Sequence, residues 1–170
     1  RAPQARAMLE PPHPPLRETR PLSYRKDVQP VFDAHCVECH DFGKPAGETL
    51  ILAGDQDLVF CASYNELWRK KLTGAIGAGP PQIQPARSWG SHASRLIQTL
   101  RRGHHDVQLD KESLDKLITW VDLNAPYYPT YASAYPGNLA GRCPLDDAQL
   151  ARLAELTGVD FAALATFHTN

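Results

Sequence analysis

Five consecutive residues, Cys36-Val37-Glu38-Cys39-His40, constrain this chain more than any other stretch. Two cysteines separated by two residues, with histidine directly after the second, form the attachment signature of a c-type haem. The thiols add across the two vinyl groups of the porphyrin, and the adjacent imidazole becomes an axial ligand of the iron. One covalent haem c is therefore the expected cofactor, with Cys36 and Cys39 as anchors and His40 as proximal ligand. A structural zinc site would need a second closely spaced ligand pair, whereas Cys61 and Cys143 stand alone. A thioredoxin-like dithiol would follow a strand, but here a helical pattern leads into Cys36.

The chain has 170 residues, 42% of them hydrophobic and 22% charged, which suits one globular domain with tails, or one domain of a longer chain. A net charge of −1 gives no reason to expect nucleic acid or an anionic membrane surface as a partner. No apolar run is long enough to span a bilayer, and no signal-peptide pattern follows Arg1. Attachment through this motif takes place outside the cytoplasm. The expectation is therefore a periplasmic or otherwise extracytoplasmic chain whose signal peptide is absent from this sequence. In that compartment Cys61 and Cys143 are expected to form a disulfide stapling the C-terminal extension to the middle of the domain; the alternative is two buried thiols.

Residues 1–22 carry six of the fifteen prolines, including Pro11-Pro12-His13-Pro14-Pro15, and read as a tether of extended backbone. Residues 23–128 read as the haem domain and 129–170 as an extension packing on it. Ser23 is the expected cap of a first helix in which Val28, Val31, Phe32 and His35 share a stripe with Cys36. Thr49–Leu52 could form a short extended piece. Ser63 is expected to cap a second helix closed by Gly74, and Ser91 a third ending at Gly103. Asp110 should cap the fourth, with Leu114, Leu117, Ile118 and Val121 inward. Two tail helices should follow, capped by Asp146 and Asp160. The fold class expected is all-α.

A helix carrying the motif, wrapping loops and a terminal helix packing back on the first together resemble the class I c-type cytochrome plan. Ser23-Tyr24-Arg25-Lys26-Asp27-Val28-Gln29-Pro30-Val31-Phe32-Asp33, Gly90-Ser91-His92-Ala93-Ser94-Arg95-Leu96, Arg102-Gly103-His104-His105-Asp106-Val107-Gln108-Leu109 and Trp120-Val121-Asp122-Leu123-Asn124-Ala125-Pro126-Tyr127 narrow the likeness. They resemble the monohaem domains of planctomycete-type cytochromes and the haem domains of hydrazine synthase alpha subunits. In the synthase, the resemblance implies a tyrosine shortly after the motif as iron ligand, with the motif histidine on zinc. Here that stretch reads Asp41-Phe42-Gly43-Lys44.

The class I plan brings a distal ligand to the iron between its last two helices, where this chain carries His104-His105. Methionine is the usual ligand of an electron carrier, but the one methionine, Met8, lies in the tether. If the connector is extended, alternation puts His105 on the side of Val107 and Leu109 and His104 on the side of Asp106 and Gln108. That favours His105, with His104 a close second should the connector turn, and Lys44 the remaining rival. Arg69-Lys70-Lys71 and Arg101-Arg102 could offer a docking face to an acidic redox partner, although such runs are ordinarily just solvated.

The function expected is single-electron transfer through a bis-histidine haem, in contact with redox partner proteins or within a larger membrane-associated complex. Two alternatives stand beside it. One is a haem enzyme with an open distal side, peroxidase-like or related to hydrazine synthase, and the other is a structural or docking subunit.

Overall fold

Pro30 is tolerated in the first helix because it falls where the backbone N–H groups have no intrahelical acceptor to lose. In the computed structural model, which describes residues 21–57, 59–77, 83–130 and 145–160, a π-helical turn over Tyr24–Val28 runs directly into α1, Gln29–His35. Ser23 does not cap through its hydroxyl. Its backbone N–H instead donates to Asp27 Oδ2 at 2.8 Å, so the carboxylate closes this end.

Helix α2, Ala62–Arg69, begins one residue ahead of Ser63, the expected cap. Ser63 lies inside the helix because its hydroxyl is used by the core: it donates to Gln29 Oε1 at 2.5 Å and accepts from the Tyr24 hydroxyl at 2.8 Å. The helix also stops before Gly74, with Lys71 taking the left-handed conformation at φ 52°. Gly74 serves a crossing instead. A Cβ there would lie 2.9 Å from the Ser94 nitrogen, and the Gly90 N–H donates to its carbonyl at 2.9 Å.

A 3₁₀ turn, Gly90–His92, precedes α3, Arg95–Arg102. The cap of α3 is Ser94, whose hydroxyl accepts from Ile97 N at 3.2 Å and donates to the Leu72 carbonyl at 2.9 Å. Ser91, the expected cap, is held by Asp122 through its N–H and hydroxyl, at 2.7 and 3.0 Å. Helix α4, Lys111–Asp122, is capped by Asp110 as expected, with Ser113 N 2.8 Å from its carboxylate. Helix α5, Asp147–Thr157, opens on a reciprocal Asp146–Gln149 capping box and ends at left-handed Gly158. Residues 1–20 of the expected tether and the tail helix expected from Phe161 to Phe167 lie outside the described residues.

The core gathers one face of each of the first four helices: Tyr24, Val28, Val31 and Phe32 from the first, Leu67, Ile97, then Leu117, Trp120 and Val121. The Tyr24 ring lies 5.1 Å from those of both Trp120 and Tyr64 and 5.5 Å from that of Tyr127. Its backbone N–H donates to the Tyr127 carbonyl at 3.1 Å, which ties the start of the first helix to the segment leaving α4. Among the described residues there are helices and isolated bridges but no sheet, in keeping with an all-α fold. Thr49–Leu52 forms no strand.

Candidate functional site

Helix α1 ends at His35, but its hydrogen bonding carries into the motif. Cys36 N and Val37 N both donate to the Phe32 carbonyl, at 2.8 and 3.0 Å, and His40 N donates to the Cys36 carbonyl at 2.9 Å. Because Phe32 is fully buried, these bonds hang the motif from the core. Cys36 is half-buried and Cys39 exposed, both as free thiols. Burial, and then the charge of the neighbouring Cys39, push the Cys36 thiol up to about 11.

His40 is held at two points. Its carbonyl accepts from Leu52 N at 2.8 Å, and its Nδ1 lies 3.0 Å from the Leu50 carbonyl. A carbonyl oxygen can only accept, so Nδ1 donates the proton of this bond, and in a neutral ring Nε2 is the nitrogen left with a lone pair. Such a backbone bond orients a ligating imidazole and raises its basicity. Sequence reasoning missed Leu50, since a backbone acceptor has no side-chain signature. The tight turns after the motif bring it there: a Cβ at Gly47 would lie 1.9 Å from the Asp41 carbonyl oxygen.

The ring facing His40 is that of His104. Their centroids are 5.9 Å apart with planes inclined by 30°, and His105 stands edge-on to His104 at 4.7 Å. Partial burial and the charges of His105 and His40 lower the His104 pKa, favouring the neutral imidazole that a metal requires. The premise of an extended connector does not hold. Gly103 (φ 89°) and His105 (φ 49°) turn the chain, Val107 N donates back to the His104 carbonyl at 3.2 Å, and His105 is left exposed. Lys44 is also exposed.

This donor set can be tested against the expected cofactor. Two imidazoles sharing one metal ion at about 2.0–2.1 Å each hold their ring centres roughly 6 Å apart, close to the His40–His104 spacing. Among the described residues no three Cys, His, Asp or Glu side chains are grouped as a metal cage. A porphyrin iron asks the protein for only two ligands, so the residues present fit a haem.

The Cys61 thiol is fully buried, 3.3 Å from the Ser63 hydroxyl, while Cys143 lies outside the described residues. Of the basic runs, Arg69 and Lys70 both pair with Glu66 of α2, which leaves less unneutralised charge there than the sequence suggests.

Among known proteins, the chain is distantly similar to hydrazine synthase subunit alpha of Kuenenia stuttgartiensis, at 22% identity over 142 residues. The match covers 68% of this chain and 18% of the relative, so the chain spans under a fifth of that protein's length. No family model and no solved structure matches it.

Proposed function

We propose that this domain attaches one haem c through Cys36 and Cys39 and passes single electrons outside the cytoplasm. The observation that supports this most is the motif imidazole, fixed by the Leu50 carbonyl, with the His104 imidazole facing it at 5.9 Å. When bound, the haem supplies an iron that cycles between ferric and ferrous forms. The chain's own part would be to offer one sulfur atom from each cysteine and Nε2 of His40, with His104, or His105 as alternative, as the second imidazole. Two imidazoles hold a lower potential than a histidine–methionine pair. No catalytic acid, base or nucleophile is needed.

The partners in this reading are redox proteins or the remainder of a larger, membrane-associated assembly. Among the described residues no helix is long and apolar enough to cross a membrane. The distant likeness to a synthase subunit favours a second reading, a haem enzyme whose distal side is open and in which His104 or His105 moves protons. A docking subunit is the third.

The test is to express the chain with export and haem attachment, then denature it in acidified organic solvent. The colour is expected to stay with the polypeptide; haem extracted into the solvent would sink the assignment. Six-coordinate low-spin spectra in both oxidation states support transfer. High spin with ready binding of cyanide or carbon monoxide supports the enzyme.

A further inference from the structure

Gln29, the first residue of α1, is a polar side chain only 6% exposed. Its amide is used on both sides. Nε2 donates to the Leu52 carbonyl at 3.0 Å and to Asp33 Oδ1 at 2.7 Å, while Oε1 accepts from the Ser63 hydroxyl at 2.5 Å. A buried group that donates on one side and accepts on the other calls for a primary amide.

The partner that matters for the motif is Leu52. Leu52 N donates to the His40 carbonyl, and the Leu50 carbonyl accepts from His40 Nδ1, so both holds on the motif histidine come from Leu50–Leu52. That segment belongs to no helix and no bridge, and no regular ladder fixes its place. Its own anchors are the Gln29 amide at Leu52 and the Ser63 N–H, which donates to the Ala53 carbonyl at 3.1 Å.

A second observation points the same way. A Cβ at Gly54 would lie 2.9 Å from both Cγ and Cδ of Gln29, closer than side chains approach. Gly54 is not in the left-handed region, so what its missing side chain provides is close approach rather than a turn. The segment behind the motif is pressed directly on to Gln29.

Helix α1 then reaches the motif by two routes. From its last turn the Phe32 carbonyl holds Cys36, and from its first residue Gln29 holds Leu52, which holds His40. A porphyrin joined at two sulfur atoms fixes where the axial nitrogen has to stand, so thiols and imidazole need one common frame.

We infer that Gln29 is a positioning residue for His40, setting the imidazole through Leu50–Leu52 in register with the thiols that the same helix carries. The inference rests on the reading of His40 as a haem ligand. A backbone acceptor on Nδ1 makes a ligating imidazole more basic, which favours the ferric state, so loosening that bond raises the midpoint potential.

The test uses the full chain with its haem and compares Gln29→Met, which loses both sides of the amide, with Ser63→Ala, which loses only the side facing the core. Exchange of the His40 Nδ1 proton is read by NMR in the ferrous state, beside the midpoint potential and a urea melt. In Gln29→Met the exchange is expected to speed several-fold and the potential to rise. In Ser63→Ala both stay at the parent values although stability falls. Parent values in Gln29→Met overturn the proposal, and so do changes that merely follow the stability lost in each variant. Should Gln29→Met not fold, Gly54→Ala keeps every bonding group but pushes the segment off Gln29; it is expected to move both readouts in the same direction, and no movement overturns the proposal. A parent that attaches no haem fails the haem reading, whereas a parent with haem whose His40 ignores these changes fails this one.

Discussion

Nδ1 of His40 and the carbonyl oxygen of Leu50 lie 3.0 Å apart, and this one bond decides which imidazole nitrogen is left for a metal. With Nε2 free on one side and His104 facing His40, His104→Ala is expected to turn a low-spin haem into a high-spin, ligand-exchangeable one. His105→Ala removes an exposed ring and should leave the absorption spectrum unchanged. The opposite pattern would restore His105, and no effect from either would make Lys44 the next residue to replace.

Alkaline pH should unfold the domain together with its tyrosines. Burial, first among the causes, raises the pKa values of Tyr24, Tyr64 and Tyr127 above the usual 10. Above that value the unfolded chain releases protons that the folded chain retains, so stability is fully present below about pH 10 and falls as pH rises beyond it. Tyrosinate absorbance and loss of helix, followed in one titration, are expected to change together. Tyrosinate appearing in stages while the helices persist would show that these rings ionise in place.

Ser94 and Ser91 sit three residues apart and should respond differently to alanine. Ser94→Ala removes a helix cap and a buried bond to Leu72, for a loss of about 1–2 kcal/mol. Ser91→Ala removes one exposed hydroxyl bond to Asp122 while its backbone bond survives, for about 0.5 kcal/mol or less. Urea melts of the two variants check the order.

Gln29→Leu should be among the most destabilising single changes. The Gln29 amide accepts from Ser63 and donates to the Leu52 carbonyl at 3.0 Å, joining α1, α2 and the segment behind the motif. Leucine has the bulk but neither bond, and each group left unpaired costs roughly 1–3 kcal/mol. Since Leu52 N also holds the His40 carbonyl, the haem spectrum of this variant is expected to broaden before the helices melt.

The helix starts that were legible in the sequence are those whose cap is local. Asp110 and Asp146 reach N–H groups three residues on, and nothing elsewhere competes for them. Ser63 and Ser91 misled because their hydroxyls are claimed by Gln29, Tyr24 and Asp122, residues 31 to 39 positions away. The reading of Cys36, Cys39 and His40 as a haem motif rests on their spacing alone, because that spacing is itself the chemistry. What the sequence hid is the path of the six-residue connector carrying His104 and His105, which folds back at Gly103 rather than extending.

The bond from Tyr24 to the Tyr127 carbonyl makes the helical core a bead whose incoming and outgoing strands of chain meet at one pole. A bead threaded that way can be set into a much longer polypeptide, or removed from it, without moving what flanks it on either side. Selection on such a unit can reshape the face that carries Cys36, Cys39 and His40 while the threading pole, and with it the frame of a host protein, stays as it is.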